Sequence, residues 1–124
     1  MIFNVLAVFR EIFRTPLKYG ILSKAIKTNK VTVNLYSYSD FLKNNERLDD
    51  GQYGGSSGMI IAYDKASRAI DTIKRNNPKT LIIFLTPKGQ PLNNKLVSRL
   101  AKAKNLTLVC GRYEGFDQRL IDNY

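Results

Sequence analysis

Two short, almost continuously apolar segments most constrain how this chain folds. Residues 81–85 and 106–110 carry one polar side chain between them, that of Thr107. Strands that are buried on both faces consist of nearly continuous apolar residues, whereas strands with one solvent-exposed face alternate between apolar and polar residues. Both segments fall far short of the roughly 20 apolar residues that a membrane-spanning helix needs. They therefore predict two parallel strands in the interior of an α/β domain.

Strands and helices are expected to alternate along the rest of the chain. Further strands are predicted at residues 3–8 and, from strict alternation, at 31–36. Helices are predicted at 19–27, from a cap at Asp64 to Asn77, from a cap at Asn93 or Asn94, and from near Glu114. Their inward-facing residues would be Ala66, Ala69, Ile70 and Ile73 in the second helix, and Val97, Leu100 and Ala101 in the third. This order predicts one domain over residues 1–124, with a mostly parallel sheet flanked by helices.

The turns after the two apolar strands are the candidate site, because ligands bind beyond the carboxyl ends of parallel strands. One turn is Thr86-Pro87-Lys88-Gly89, and the other runs from Gly111 to Asp117. The second turn holds Arg112, Tyr113 and Glu114 between two glycines that let backbone approach a ligand. The alternative is an ordinary strand–helix turn whose Arg112 and Glu114 pair in solvent. Neither turn is a phosphate-binding loop of the G-x-x-x-x-G-K-[ST] type.

Residues 44–58 lack periodicity and contain four of the eight glycines, together with Asp49, Asp50 and Tyr53. Such a stretch is either a flexible linker or a mobile lid with glycine hinges. The chain is short for two domains, and linkers seldom begin with paired aspartates and a tyrosine. We therefore interpret it as a substrate-side loop.

The amino-acid composition limits which partners and which kinds of catalysis are expected for this chain. The net charge of +10 predicts a polyanionic partner, above all nucleic acid, although a general bias towards lysine would give the same number. The sequence has no histidine, the commonest general base, so a zinc site is not expected. Its single cysteine, Cys110, excludes an internal disulfide and is interpreted as a core residue rather than a nucleophile. The N-terminus does not read as a signal peptide, which predicts a cytoplasmic protein.

Three motifs occur in a fixed order: the glycine stretch with Asp49-Asp50, Tyr53-Gly54-Gly55 and Gly58-Met59; then Leu85-Thr86-Pro87-Lys88-Gly89; then Val109-Cys110-Gly111-Arg112-Tyr113-Glu114-Gly115-Phe116-Asp117-Gln118-Arg119. Together they resemble the bacterial tRNA (guanine-N1)-methyltransferase family, which belongs to the knotted SPOUT class. The resemblance covers the whole chain.

The resemblance implies S-adenosylmethionine as methyl donor, tRNA as partner, and no metal. Backbone around Phe84, Leu85, Thr86, Pro87 and Gly111 would hold the adenosine, and Glu114 would face the cationic end of the donor. The substrate side would comprise Asp50, Tyr53, Gly54, Gly55, Gly58 and Arg112. The acceptor would be N1 of the guanosine immediately 3′ of the anticodon, and the enzyme would act as a homodimer.

The sequence departs from the family pattern in two places. Arg10 stands where the family has proline, and Gln52, Ser56 and Ser57 replace two prolines and a glycine. Losing prolines should make the loop less pre-organised. The resemblance also places the knot-forming segment, a helical C-terminal domain and the general base beyond Tyr124. We therefore expect the chain alone to be inactive, and an unfilled sheet edge beside residues 106–110 to favour self-association. The alternative is a non-catalytic, truncated relative that binds tRNA or another partner.

Overall fold

The computed structural model describes residues 1–52 and 57–124. Strands and helices alternate there as predicted, except that the stretch 44–58, expected to be a loop, contains a short strand that pairs with the next one. The strands are β1 (Ile2–Ala7), β2 (Thr32–Ser37), β3 (Asp49–Gly51), β4 (Met59–Ile61), β5 (Leu81–Leu85) and β6 (Asn105–Cys110). The helices are α1 (Gly20–Lys27), α2 (Tyr63–Asn76), α3 (Asn94–Leu100) and α4 (Gln118–Asn123). Short 3-10 helices lie at Arg10–Phe13, Pro16–Lys18 and Tyr38–Phe41.

Four strands form one parallel sheet in the order β2-β1-β6-β5. This confirms the predicted α/β class with a mostly parallel sheet. The strands β3 and β4 form a separate antiparallel pair. The expected edge beside residues 106–110 is wrong, because β6 lies between β1 and β5. The edges are β2 and β5 instead.

The main core lies where α2 covers the sheet. The four residues predicted to face inward from α2 are all fully buried: Ala66, Ala69, Ile70 and Ile73. They belong to the same buried cluster as Leu6 of β1 and Val109 of β6. Apolar side chains at helical spacing form one continuous face, and burying that face fixes α2 against the sheet.

The region around β5 and α3 is covered less than the sequence suggests. Leu81 and Leu85 are 47% and 50% exposed, so β5 is not buried on both faces. Val97 and Ala101 of the predicted inward face are exposed, whereas Leu96 and Leu100 are half-buried. The physical reason is that β5 is an edge strand and α3 has only seven residues.

Two predicted helix starts are also wrong. Ala62, not Asp64, precedes α2, and Asp64 lies in the first turn, where a negative charge favours the positive end of the helix dipole. The last helix begins at Gln118 rather than near Glu114, because Asp117 caps it by accepting a hydrogen bond from the Arg119 N–H at 3.0 Å. The cap at Asn93 is confirmed, since its Oδ1 accepts from the Leu96 N–H at 2.9 Å.

A row of asparagine side chains crosses three strands of the sheet. Asn34 Nδ2 donates to Asn4 Oδ1 at 2.9 Å, and Asn4 Nδ2 donates to Asn105 Oδ1 at 3.0 Å. Asn105 Nδ2 then donates to Asn77 Oδ1, again at 3.0 Å. Asn4 is buried and the other three are half-buried. Asn4, Asn77 and Asn105 each donate and accept a hydrogen bond, so the buried amide of Asn4 is fully paired.

Across residues 1–52 and 57–124, the structure shows no helix with the length and apolar character that spanning a bilayer requires.

Candidate functional site

The two predicted turns lie side by side at the carboxyl edge of the sheet. Strands β5 and β6 are parallel neighbours, and their last residues, Leu85 and Cys110, are in register. The chain therefore leaves both strands at the same place. In the first turn, the Gly89 N–H donates to the Thr86 carbonyl at 3.1 Å, which closes it against the strand end.

A crevice of about 300 Å³ opens between these turns. Its lining residues are Leu85, Thr86, Pro87, Gly111, Arg112, Tyr113, Glu114, Gly115 and Phe116. Five of the six residues predicted to hold the donor are thus brought together. The sixth, Phe84, does not line this crevice and lies behind it. What these residues bind stays a prediction.

Phe84 supports the crevice through Phe116. The two rings pack edge to face, with centroids 5.2 Å apart and an angle of 79° between their planes. Phe116 in turn lies so close to Gly111 that a Cβ there would be 2.9 Å from ring atom Cε2. A side chain at position 111 would therefore push on Phe116, and glycine is what allows this packing.

The second turn is hydrogen-bonded to β4. The Glu114 N–H donates to the Met59 carbonyl at 2.9 Å, and the Ile61 N–H donates to the Gly115 carbonyl at 2.9 Å. The Asp117 N–H donates to the Ile61 carbonyl at 3.2 Å, and Ile61 forms a parallel bridge with Phe116. The hydrogen-bonded residues of these two motifs are 54 to 56 positions apart in the sequence, yet they share one backbone junction.

Gly58 and Glu114 touch at this junction. Gly58 has a φ of +111°, a conformation that favours glycine, and a Cβ there would lie 2.7 Å from Glu114 Cγ. The side chain of Glu114 therefore rests against the end of the glycine stretch. At the base of that stretch, Gln52 Nε2 donates to the Ser57 carbonyl at 3.4 Å.

The other predicted substrate-side residues are only partly seen. Asp50 lies in β3, exposed, and its carboxylate accepts from the Gly51 N–H at 2.8 Å. Tyr53, Gly54, Gly55 and Ser56 lie outside the described residues.

Arg112 also lines the crevice, and it contacts an aromatic ring near the start of the chain. Its guanidinium lies over the ring of Phe9, with 4.9 Å between Cζ and the ring centroid. Within the described part of the chain, no ion pair joins Arg112 to Glu114, so the solvent pair considered from the sequence does not form. Arg10, which stands in place of the family's proline, pairs with Glu11 and Asp40.

Two titratable side chains beside the crevice, those of Asp117 and Cys110, have structural roles. Hydrogen bonds from Arg119 hold the pKa of Asp117 below its usual range, so this carboxylate stays charged as a helix cap. Burial raises the pKa of the Cys110 thiol, which disfavours the thiolate and agrees with a packing role. The Cys110 carbonyl accepts a hydrogen bond from the hydroxyl of the buried Tyr38 at 3.3 Å.

Tyr113, Gly115 and Phe116 also line the crevice. They belong to the turn that was predicted as part of the candidate site, but the resemblance gave them no donor or substrate role. Tyr113 has a φ of +60° and is 46% exposed. A positive φ is uncommon for an aromatic residue, and such strain concentrates at functional sites. The signal available from the sequence was their place inside the Gly111–Asp117 motif.

The chain is similar to proteins of one family throughout its length. The family model described as tRNA (Guanine-1)-methyltransferase TrmD matches residues 1–124. A tRNA (guanine-N(1)-)-methyltransferase from Buchnera aphidicola is 37% identical over 123 residues, which cover 98% of this chain and 52% of that protein. A protein of the same name from Synechococcus sp. (strain JA-2-3B'a(2-13)) is 40% identical over 121 residues, covering 97% of this chain and 48% of that protein.

A solved structure gives the same result at the level of the fold. The crystal structure of the tRNA (m1G37) methyltransferase from Aquifex aeolicus superposes with a TM-score of 0.90 at 35% identity. The match covers 98% of this chain and 56% of that one. The chain thus spans about half the length of the relatives that it matches.

Proposed function

Because this chain belongs to the tRNA (guanine-1)-methyltransferase family, we propose that it supplies the donor-binding crevice of an S-adenosylmethionine-dependent enzyme acting on tRNA. The methylated atom is N1 of the guanosine 3′ of the anticodon, position 37 in the name of the Aquifex aeolicus relative. The enzyme works in the cytoplasm. The observation that carries the proposal is the meeting of the Thr86 and Gly111 turns beside the Glu114 carboxylate.

The crevice suits this donor chemically. Leu85, Pro87 and Phe116 offer apolar surface for a purine ring, and the two turns offer main-chain groups for its polar edge. Gly115, where a Cβ would meet nothing within 4 Å, leaves room for a ligand to approach the backbone. When bound, S-adenosylmethionine supplies an electrophilic methyl group on a sulfonium.

Glu114 is the residue that fits the donor's charge. Among the described residues its carboxylate has no hydrogen bond or ion pair, so it is available to a ligand. A carboxylate attracts a sulfonium and an ammonium group, and the attraction grows as water leaves the crevice. The Cγ of Glu114 lies close to Gly58, one of the residues predicted for the substrate side.

No residue of this crevice is assigned as the base that removes the N1 proton. The chain spans about half the length of its relatives, and we expect it to show no methyl transfer on its own. Turnover above background with S-adenosylmethionine and tRNA would contradict this expectation.

Calorimetry with S-adenosylmethionine tests the donor site directly. We expect binding by the chain and weaker binding by Glu114→Gln, which keeps the shape but removes the charge. Asp122→Asn, in a carboxylate on α4 that accepts from Gln118, serves as the matched control. Equal affinities for all three proteins would overturn the role of Glu114, and no heat with the wild-type chain would overturn the donor site.

A second candidate is a non-catalytic relative that binds tRNA or another partner. Its motivation is the altered glycine stretch, in which Gln52, Ser56 and Ser57 replace two prolines and a glycine. The hydrogen bond from Gln52 to Ser57 offsets part of that loss by closing the base of the stretch. This candidate predicts salt-sensitive tRNA binding without donor binding, so the same calorimetry separates the two.

We also propose a homodimer, with each site completed by both subunits. Large apolar side chains are exposed on and around α1, notably Ile12, Ile21 and Leu22, of which Ile21 is 83% exposed. An apolar surface of this kind is often an interface. A monomer in sedimentation equilibrium at micromolar concentration would contradict the proposal.

A further inference from the structure

The charge of this chain is unevenly distributed along the sequence. Between Asp71 and Glu114 there is no acidic residue, yet there are nine basic ones. They are Lys74, Arg75, Lys79, Lys88, Lys95, Arg99, Lys102, Lys104 and Arg112. A run without acids is a local source of positive potential, stronger than the net charge alone suggests.

Three of these cations lie together on one cleft. Lys95, Arg99 and Lys102 line a cleft of about 490 Å³ on α3 and the turn after it, together with Gln90, Asn93 and Ser98. Their spacing of four and three residues places them on one side of a helical segment. At a rise of about 1.5 Å per residue, the row is roughly 10 Å long.

These cations are free to bind an anion. All three side chains are exposed, and within residues 1–52 and 57–124 none forms an ion pair or a side-chain hydrogen bond. The polar neighbours Gln90 and Ser98 add hydrogen-bonding groups without adding negative charge. The lining contains no aromatic ring, so the cleft suits phosphates rather than bases.

The cleft is continuous with the candidate site. A groove of about 480 Å³ runs between β5 and α3. Leu85 and Thr86 line both this groove and the crevice, while Gln90 and Arg99 line both the groove and the basic cleft. A polyanion held at the cleft would therefore lie on the same surface as the proposed methylation site.

We propose that Lys95, Arg99 and Lys102 form a phosphate-binding row for the backbone of the RNA whose base is presented to the crevice. This inference rests on the proposed function, since it takes RNA as the partner. Each of the three cations can contact one phosphate of a nucleic-acid strand. The row contributes affinity and orientation, and it does not read sequence.

The test compares two triple variants with equal charge loss. One is Lys95→Gln with Arg99→Gln and Lys102→Gln, and the other is Lys24→Gln with Lys27→Gln and Lys30→Gln on and after α1, whose side chains are also exposed. Fluorescence anisotropy would measure binding of a labelled tRNA over a series of salt concentrations. Calorimetry with S-adenosylmethionine and thermal unfolding would be run on the same proteins.

We expect the α3 triple to weaken RNA binding about tenfold or more near 0.1 M salt and to reduce the salt slope by about 2–3, as loss of three phosphate contacts implies. In the α1 triple, the loss of RNA-binding free energy should be less than half of that in the α3 triple. Unfolding temperature and donor affinity should match the wild-type protein. A third protein with Lys95→Arg and Lys102→Arg should keep RNA binding, because the charges remain.

Equal losses in the two triples would overturn the inference, since they would show that only net charge counts. Absence of RNA binding by the wild-type chain would overturn it too, as would binding to anionic lipid vesicles in place of RNA. If only the α3 triple loses RNA binding and none of the proteins binds S-adenosylmethionine, the inference holds and the proposed function is wrong. If the proteins bind S-adenosylmethionine and the α3 triple loses more RNA binding than the α1 triple, the inference and the proposed function are both supported.

Discussion

Asn4 and Asn105 share a hydrogen bond that ties the middle of the sheet together. Asn4 Nδ2 donates to Asn105 Oδ1 at 3.0 Å, on neighbouring strands β1 and β6, while Asn4 Oδ1 accepts from Asn34 on β2. Asn4 is fully buried. A slip of either neighbouring strand by one residue would point its asparagine to the other face of the sheet. The amide of Asn4 would then lose a hydrogen-bond partner. The row therefore selects one strand register.

Asn4→Ala should destabilise the fold by about 2 kcal/mol or more, because it removes the buried centre of the row and takes one hydrogen-bond partner each from the half-buried amides of Asn34 and Asn105. Urea unfolding measures the change in the free energy of unfolding. Asn123→Ala removes an exposed hydrogen bond to the Tyr63 hydroxyl and should cost no more than about 0.5 kcal/mol. Equal costs for the two variants would contradict a role for the row.

Gly111→Ala should weaken donor binding and cost about 1–3 kcal/mol of stability, because the new methyl group lies within 2.9 Å of the Phe116 ring. Gly51→Ala is the control, since a Cβ at that position meets nothing within 4 Å. Adding Phe116→Leu to Gly111→Ala should recover part of the stability by making room. If the double variant is less stable than the sum of its singles, the clash is not the cause.

Gly58→Ala should lower donor affinity more than it lowers stability. The substitution is strained by the positive φ, and its methyl group would displace the Glu114 side chain. Gly20→Ala also places alanine at a positive φ, +62°, but in the milder left-handed region, and its methyl group meets nothing within 4 Å. Gly20→Ala should lose about 1 kcal/mol of stability, and Gly58→Ala somewhat more because its φ of +111° is less favourable for alanine. Only Gly58→Ala should change the Kd for S-adenosylmethionine, and an equal change in both would refute the contact.

Acid should destabilise the link between Glu46 and Arg68. The guanidinium of Arg68 donates to both carboxylate oxygens of Glu46, at 2.8 and 3.2 Å, and the Lys43 N–H donates as well. These hydrogen bonds, that of Arg68 first, lower the pKa of Glu46 from 4.5 to about 2. The stabilisation is thus complete above about pH 4.5 and is lost as the pH falls towards 2.

Unfolding temperatures between pH 2 and pH 6 measure this dependence. Glu46→Gln and Arg68→Gln should each flatten the curve below pH 4.5, and the double variant should flatten it no further, because both partners act through one interaction. An unchanged slope in Glu46→Gln would place the acid sensitivity elsewhere.

Strand and helix order could be predicted from the sequence because hydrophobic periodicity reports burial directly. The inward face of α2, from Ala66 to Ile73, is the clearest case. The face of α3 was predicted only in part: Leu100 is half-buried as expected, but Leu96 is the second half-buried residue, whereas Val97 and Ala101 are exposed. Leu96 and Val97 are adjacent apolar residues, so the pattern alone does not show which of them faces inward. Exposure of β5 depends on the strand order, which no local pattern contains.

Part of the candidate site could also be predicted from the sequence. That Thr86 and Gly111 meet follows from two neighbouring parallel strands. The contact between Gly58 and Glu114 does not follow, since it joins segments more than 50 residues apart through backbone hydrogen bonds that leave no mark on side-chain patterns. Arg10 is a further example, because only the fold brings it to Asp40.

Three main-chain hydrogen bonds join β4 to the Gly111–Asp117 turn, through Met59, Ile61, Glu114, Gly115 and Asp117. A side-chain substitution removes none of their donors or acceptors, except that proline removes an N–H. These three bonds therefore do not depend on which side chains the two segments carry. Amide hydrogens of Ile61, Glu114 and Asp117 should exchange with solvent as one unit, so that the two motifs open together or not at all.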